Sequence, residues 1–501
     1  LNWLPSMEVA IDEALKQNKF VEGTICYTGE ITDTSRNYTL KYYVDMAKEL
    51  QKMGCHSVAI KDMSGLLKPY SAKVLVSGLK DALDIPVHLH THDTTGNQVA
   101  TTLMAAEAGV DIADLAISSM SSLTSQPSMN AVVAALEGQE RDTGLSMMDL
   151  QKLTDYWADV RERYVDFESD LKTPVTDIYR YEIPGGQYTN LKPQVESLNL
   201  GHRFLEVKEM YKKVNDMLGD IVKVTPSSKM VGDLAIFMVQ NDLTPENIVE
   251  KGAALSYPDS VVSYFKGMMG QPAWGFPKDL QKIVLKGEEP ISVRPGALLP
   301  PADFEAAKEH LCKVCGHEPS ERDVISWLTY PKVLEDYFKN RAEYGYLTRL
   351  GSHVYFHGLA VGETNRVNIE DGKTLVIKYL GLGDANEDGT RVVQFELNGM
   401  RREINVLDKH AKASVHAVEK ADPDDPMQVG ASIPGAVSKV LVKKGDEVKE
   451  NDVLLIIEAM KMETSVVARA DGVVGEVKVE AGDSVVAGQL LMTLKEAEDE
   501  D

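Results

Sequence analysis

Over roughly its first 125 residues the chain alternates short β-branched runs with amphipathic stretches. The runs fall at 21–27, 57–62, 86–92 and 112–118. Between them, residues 39–53 and 71–83 place apolar side chains at helical spacing. Strand, helix and strand in this rhythm predict a parallel sheet with crossover helices, and a (β/α)8 TIM-type barrel is the fold that fits best. Four strands are clear and a fifth is expected at 177–183. A closed barrel takes eight, so the barrel reads as incomplete, with about three strands missing from its front. The chain begins on Leu1 and not on Met, which adds to the expectation that it is truncated at the N-terminus.

Beyond the barrel part, 1–185, the pattern becomes mostly helical over 186–300, with helices expected at 206–218, 231–240 and 245–252. Helices continue through 303–345. Alternation of period two then takes over at 354–356, 366–369, 374–380, 391–397 and 401–407. Asn398-Gly399 is a strong hairpin signal and Asp371-Gly372 a weaker one. Residues 301–407 therefore form a third domain that ends in a small antiparallel sheet. Residues 408–426 lack apolar periodicity, contain Pro423 and Pro426, and read as a mobile linker. From Lys495 onward the tail is acidic and reads as frayed.

The last domain, 427–495, carries an internal repeat. Residues 435–448, GAVSKVLVKKGDEV, align with 472–485, GVVGEVKVEAGDSV. Two such halves predict two similar β-units packed into a flattened sandwich of quasi-twofold symmetry. Lys461 falls between the halves, at an expected hairpin tip, where a lysine projects into solvent on a flexible stem. On position alone it would be an ordinary surface lysine.

Composition narrows the partners. A net charge of −24 over 501 residues argues against a nucleic-acid surface, which needs a basic patch. No apolar run reaches the length of a membrane span, and no secretory signal is present. Four cysteines are too few for a disulfide scaffold and suit a reducing, cytoplasmic compartment. Cys312 and Cys315, flanked by His310 and His317, look like a metal clip, but they lie in an expected helix at 303–315. A single CxxC there is an i, i+3 pair and weak evidence for zinc.

The candidate chemistry sits in Val87-His88-Leu89-His90-Thr91-His92-Asp93. Alternating histidines share one face of a strand, and two imidazoles at i, i+2 can ligate one divalent ion. Core or surface histidines are the alternative on spacing alone.

Ala459-Met460-Lys461-Met462, flanked by acids, resembles the biotinyl acceptor motif, and the repeat around it resembles the biotin carboxyl carrier domain. The rest resembles the carboxyltransferase region of the pyruvate carboxylase family. The matching segments are Cys26-Tyr-Thr-Gly29, Ile60-Lys-Asp-Met63, Gly65-Leu-Leu-Lys-Pro69, His88-Leu-His-Thr-His-Asp-Thr94, Thr124-Ser-Gln-Pro-Ser128, Pro184-Gly-Gly-Gln187, Val224-Thr-Pro-Ser-Ser-Lys229 and Val293-Arg-Pro-Gly296. Leu298-Leu-Pro-Pro301, Tyr330-Pro-Lys-Val333 and 358–373 resemble that family's tetramerisation, or allosteric, domain.

By this resemblance Lys461 carries covalent biotin, and His90 and His92 are ligands of a divalent manganese, zinc or cobalt ion. Lys61 matches a lysine that the family carbamylates into a further ligand. Thr124 matches the threonine that relays a proton between pyruvate and biotin. His88 receives no role. The implied reaction is carboxyl transfer from carboxybiotin to pyruvate, giving oxaloacetate, within an ATP- and bicarbonate-dependent homotetramer. The implied partners are the biotin carboxylase domain, which this chain lacks, and a biotin protein ligase. The family's acidic metal ligand and its pyruvate-binding arginine and glutamine also have no counterpart here, so the isolated chain is expected to accept biotin but to make no oxaloacetate. The decarboxylase subunit of a sodium-pumping oxaloacetate decarboxylase is the alternative enzyme. A carrier or assembly module is the non-catalytic one.

Overall fold

The structure, a computed structural model, describes residues 2–169, 171–386, 389–408, 419–422, 425–459 and 462–495. Lys461, most of the expected linker and the acidic tail beyond Lys495 lie outside the described residues. The chain divides into two units, Leu1–Leu298 with Glu419–Asp501, and Leu299–Val418.

In the first unit, helix α1 (Leu4–Lys16) precedes four parallel strands, β1 (Glu22–Cys26), β2 (Ser57–Asp62), β3 (Val87–Thr91) and β4 (Ile112–Ala113), in the order 1-2-3-4. Helices α2 (Leu40–Lys52), α3 (Pro69–Ala82) and α4 (Gln98–Glu107) make the crossovers. Each starts for a legible reason. Thr39 caps α2 by accepting from the Tyr42 N–H, and Pro69 opens α3 where a missing N–H costs nothing. Tyr43, Met46, Ala47 and Leu50, at spacings of three and four, form the buried stripe of α2.

The sheet has two unlike faces. Ile25, Ile60 and Leu89 stand in one register row, with Val58 and Val87 in another, and all are buried. The opposite face carries the row Cys26, Lys61, His90 and the row Thr24, Ala59, His88. Strand β4 is shorter than the expected 112–118. The Asp114 N–H still donates to the Leu89 carbonyl, but the chain then turns to bridge Ala116 with Ser128.

Helices α5 (Met129–Leu136), α6 (Met147–Glu162) and α7 (Ile178–Tyr181) follow. The strand expected at 177–183 is therefore not a strand. Its buried apolar residues Ile178, Tyr181 and Ile183 lie three and two apart, and a seven-residue window does not separate helical spacing from alternation. Glu182 ends α7 in the left-handed conformation, φ 57°. The helical region then builds α8 (Gly185–Ser197), α9 (Phe204–Met217), α10 (Ser227–Gln240), α11 (Ile248–Lys251), α12 (Asp259–Phe265) and α13 (Lys278–Leu285). Eleven of the 14 residues of α10 are buried, and it packs on α8, α9 and α12 as the hub of this region.

An ion cluster, with Glu182 and Lys223 buried and Arg36 and Asp220 half-buried, ties three connections together. The Arg36 guanidinium pairs with Glu182 and, at 2.6 Å, with Asp220, while Lys223 reaches Glu182 at 3.1 Å. Burial alone would raise the Glu182 carboxyl, but Lys223 and Arg36 prevail and hold it at about 2. A carboxyl depressed on folding stabilises above its unfolded value and loses that contribution as pH falls through its folded value. Glu182, whose side chain is 6% exposed, is thus expected to contribute about 3 kcal/mol near neutral pH. That contribution should fade between about pH 5 and about pH 2. Urea unfolding of wild type and Glu182→Gln across that range checks this, the variant showing the flatter acid slope.

In the second unit, α14 (Phe304–Cys315), α15 (Glu321–Thr329) and α16 (Pro331–Tyr344) enclose a small core of Ala307, Leu311, Val324 and Phe338. Asp303 caps α14, and Ser320 forms a reciprocal capping box with Asp323. Residues 354–356, expected as strand, lie in helix α17 (Ser352–His357), because three residues are too few to fix a period and Gly351 and Gly358 bound one short helix. Strands β5 (Thr364–Glu370), β6 (Lys373–Ala385), β7 (Thr390–Leu397) and β8 (Met400–Leu407) form an antiparallel meander. Asn398 and Gly399, φ 49° and 83°, make the expected tight turn. Cys312 and Cys315 lie on α14 as free thiols, and no cluster of three or more His, Cys, Asp or Glu side chains suited to a metal occurs among the described residues.

The C-terminal part of the first unit has two four-stranded sheets. They are built from β9 (Gln428–Gly430), β10 (Gly435–Val440), β11 (Glu447–Val448), β12 (Val453–Ala459), β13 (Met462–Val467), β14 (Gly472–Val477), β15 (Ser484–Val485) and β16 (Leu490–Lys495). The sequence repeat is visible as an exchange. Gly435 of the first half pairs with Val485 of the second, and Gly472 of the second pairs with Val448 of the first. Val437, Leu455, Ile457, Val474, Leu491 and Met492 fill the space within the sandwich. Among the described residues, no helix is long and apolar enough to cross a membrane.

Candidate active site

Strand β3 carries His88 and His90 on the polar face of the sheet, with His92 just past its end, and gives the three different surroundings. His88 has both ring nitrogens on carboxylates, Nδ1 on Glu22 and Nε2 on Asp114, each at 3.0 Å. Burial would lower its pKa, but the two acids prevail and raise it. With a carboxylate beside each ring nitrogen, His88 is engaged on both sides and is a poor candidate for a metal ligand.

His90 and His92 are arranged otherwise. His90 Nδ1 lies 2.8 Å from Asp114 Oδ2, and His92 Nδ1 lies 2.6 Å from the Thr124 carbonyl oxygen. A carbonyl only accepts, so His92 donates from Nδ1 and bears its lone pair on Nε2; donation to the Asp114 carboxylate places the His90 lone pair likewise. Burial pushes the His92 pKa down and keeps this ring neutral. The two Nε2 atoms face each other at 3.4 Å. With both rings in their neutral Nδ1–H tautomers the two lone pairs converge, an arrangement that suits a shared cation. Two nitrogens each about 2.0–2.1 Å from one tetrahedral ion stand about 3.4 Å apart. The residues present therefore fit a divalent metal, with Asp114 and the Thr124 carbonyl as the outer partners that aim the rings.

Lys61 is in register with His90 on the same face and is half-buried. Among the described residues its amine has no hydrogen-bond or ion-pair partner. The next residue, Asp62, points the other way and is fully buried. Its carboxylate accepts from the N–H groups of Ser64, Leu66 and Leu67 and from the Thr91 hydroxyl, fixing the loop above the histidines. Gly65 in that loop has φ 70°, and a Cβ there would stand 2.5 Å from the His92 carbonyl oxygen.

Thr124 is placed by its backbone as the His92 acceptor, and its methyl faces Gly185. Beside it opens a cavity of about 470 Å³ lined by residues 120–125 and by Trp157, Arg161, Tyr164 and Phe167, large enough for a small ligand. Thr225 is exposed at the turn before α10.

Two members of this site escaped the sequence reading. Asp114 follows Ile112 by two, and Ile112 is in register with His88. The alternation of β4 was therefore enough to put Asp114 on the histidine face. Glu22 could have been found in the same way from β1. No signal in the sequence marks the Thr124 carbonyl.

On the carrier sandwich, the β12–β13 ladder runs to the pair Ala459–Met462. Lys461 stands between those two positions and is itself outside the described residues.

Comparison with known proteins accounts for these features together. Residues 11–157 match an HMGL-like domain, 178–378 a conserved carboxylase domain, and 426–494 a biotin-requiring enzyme domain. The carboxyl transferase domain of Rhizobium etli pyruvate carboxylase superposes with a TM-score of 0.77 at 48% identity, over 82% of this chain and 69% of that one. The chain belongs to the pyruvate carboxylase family. Its curated relatives include the pyruvate carboxylase of Bacillus subtilis, 50% identical over 99% of this chain, and that of Staphylococcus aureus, 48% identical over all of it. The chain spans less than half the length of these relatives, 43% and 44%. The complete Rhizobium etli enzyme superposes over 98% of this chain with a TM-score of 0.76. The C-terminal sandwich is thus a domain of the biotin-requiring type, and residues 11–157 form an HMGL-like domain.

Proposed function

We propose that this chain receives the carboxyl group of carboxybiotin, carried on Lys461, and delivers it to pyruvate at the His90–His92 centre, giving oxaloacetate. The observation that carries the reading is the facing pair of His90 and His92 Nε2 atoms, 3.4 Å apart. Family relatives named as pyruvate carboxylases along nearly the whole chain favour this over the decarboxylase subunit of a sodium pump.

The metal would be held by His90, His92 and Lys61, the last as its carbamate, an anionic oxygen donor that a hard divalent ion accepts. When bound it supplies positive charge beside the oxygen on which the pyruvate enolate builds negative charge. The chain's own residues do the rest. Asp114 and the Thr124 carbonyl hold the rings in their ligating tautomers, and His88 stands between two acids on the adjoining row. The N–C bond of carboxybiotin breaks to release CO2, and a methyl proton of pyruvate passes through a threonine hydroxyl to the biotin ureido nitrogen. A hydroxyl accepts one proton as it donates another. The enolate carbon then bonds to CO2. In the whole assembly, a biotin carboxylase domain would charge the carrier, a biotin protein ligase would load it, and four copies would associate.

The relay is assigned to Thr124, and the experiment tests it beside Thr225, a threonine in another of the family-like segments. Oxaloacetate decarboxylation with added free biotin is measured on wild type, Thr124→Ala and Thr225→Ala within the full-length parent. General acid–base relays contribute about 10²–10⁴-fold. A loss of that size in Thr124→Ala with metal content unchanged supports the assignment. Loss in Thr225→Ala alone would move the relay to the turn before α10.

A further inference from the structure

We propose that Arg36, Glu182, Asp220 and Lys223 are positioning residues for the metal centre, holding the Pro184–Gly185 turn against Thr124 and so fixing the tautomer and orientation of His92. The inference rests on the reading of His90 and His92 as a metal centre for its purpose, but not for its geometry.

The cluster joins three connections that leave the same region. Arg36 lies between β1 and α2, Glu182 between α7 and α8, and Asp220 and Lys223 between α9 and α10. Two cations face two anions. Arg36 Nη2 reaches Asp220 Oδ2 at 2.6 Å and Glu182 Oε2 at 3.2 Å, and Lys223 Nζ lies 3.1 Å from Glu182 and 3.6 Å from Asp220. The Tyr38 hydroxyl donates to the Asp220 carbonyl, and Asn215 donates to its carboxylate.

Fold stability alone does not call for such a device. A buried ion set is often no more stabilising than apolar packing of the same volume, although breaking one is costly. Both acids also sit in the left-handed region, φ 57° and 55°, where a side chain is unfavourable by about 1–2 kcal/mol. What ion pairs supply and apolar contact does not is direction. The guanidinium fork accepts carboxylates in few geometries, so it fixes where the next residues of each connection must go.

For Glu182 those residues lead to the site. Gly185 donates its N–H to the Met63 carbonyl at 2.9 Å, two residues past Lys61. A Cβ on Gly185 would stand 2.7 Å from Thr94 Oγ1 and 3.5 Å from the Thr124 methyl, so the turn is seated without slack. Thr124 in turn accepts the 2.6 Å bond from His92 Nδ1. A shift of the turn is thereby passed to the acceptor that decides which His92 nitrogen keeps the proton.

The test uses the whole chain with ¹⁵N-labelled histidine, metal-free, reading the His92 tautomer from two-bond ¹H–¹⁵N correlations. Wild type, Glu182→Gln, Glu182→Asp and Val239→Ala are compared, the last as a destabilised control in the buried face of α10. The wild type is expected to show His92 with the proton on Nδ1 alone. Glu182→Gln should mix the tautomers, Glu182→Asp should restore the single form in part, and Val239→Ala should lower Tm without mixing them. In Co²⁺ titrations of the same proteins, Glu182→Gln should bind at least about tenfold more weakly, as other outer partners of metal ligands do. A single unchanged tautomer in Glu182→Gln, or the same mixing in Val239→Ala, overturns the proposal. Wild type that takes up no Co²⁺ while the tautomers still respond would leave the positioning intact and remove the metal reading instead.

Discussion

Lys461→Ala is expected to abolish biotin uptake altogether and to leave the melting temperature of the carrier sandwich unchanged. The two halves of this expectation have separate causes. The sandwich is held by the exchanged pairings of its repeat and by Leu455, Ile457, Val474 and Met492, none of which Lys461 replaces. In sequence it falls between Ala459 and Met462, the last pair of the β12–β13 ladder. Lys439, Lys443, Lys444 and Lys449 lie on the same domain, so a ligase that read only exposed amines would still modify the variant. Intact mass after co-expression with a biotin protein ligase decides the matter. A biotinylated Lys461→Ala chain would sink the assignment.

His92→Ala is expected to weaken divalent-metal binding by more than about 100-fold, beyond the 10–100-fold that loss of an outer partner such as Asp114→Asn should cost. With one imidazole gone, the Nε2 of His90 faces no second nitrogen, and only a modified Lys61 remains beside it. The ordering of the two variants matters as much as their size, since a merely structural His92 would make the loss of Asp114 at least as damaging. Isothermal titration with Zn²⁺ or Mn²⁺ reads both. Equal affinity in wild type and His92→Ala would falsify the two-histidine centre.

Much of this was legible beforehand because the relevant signals are local. Alternating histidines need only the period of a strand to share a face, and β2 and β3 formed at the expected places. The repeat at 435–448 and 472–485 carried the sandwich in its spacing alone. The misreadings fell where a segment is shorter than its own period. Residues 177–183 and 354–356 formed helices because neighbours and bounding residues settled what the side-chain pattern left open. The Arg36–Glu182–Lys223–Asp220 cluster was invisible for a different reason. Its members are separated by up to 187 positions, and four charged residues in loops look like solvated ones until the fold buries them. The role of Thr124 shows the limit from the other side, since the motif names the residue but not the carbonyl.

The two-faced sheet separates the demands that selection places on neighbouring positions. Ile25, Val58, Ile60, Val87 and Leu89 are answerable to the helices behind them, whereas Lys61, His88 and His90 are answerable only to what stands in front. Variation at the first group should register as lost abundance, and variation at the second as altered reactivity in a protein made at normal levels. A scan that scores expression and turnover side by side would then see β2 and β3 as two interleaved lists, odd against even. A lineage could revise the reaction this surface performs one alternate residue at a time without renegotiating the fold that presents it.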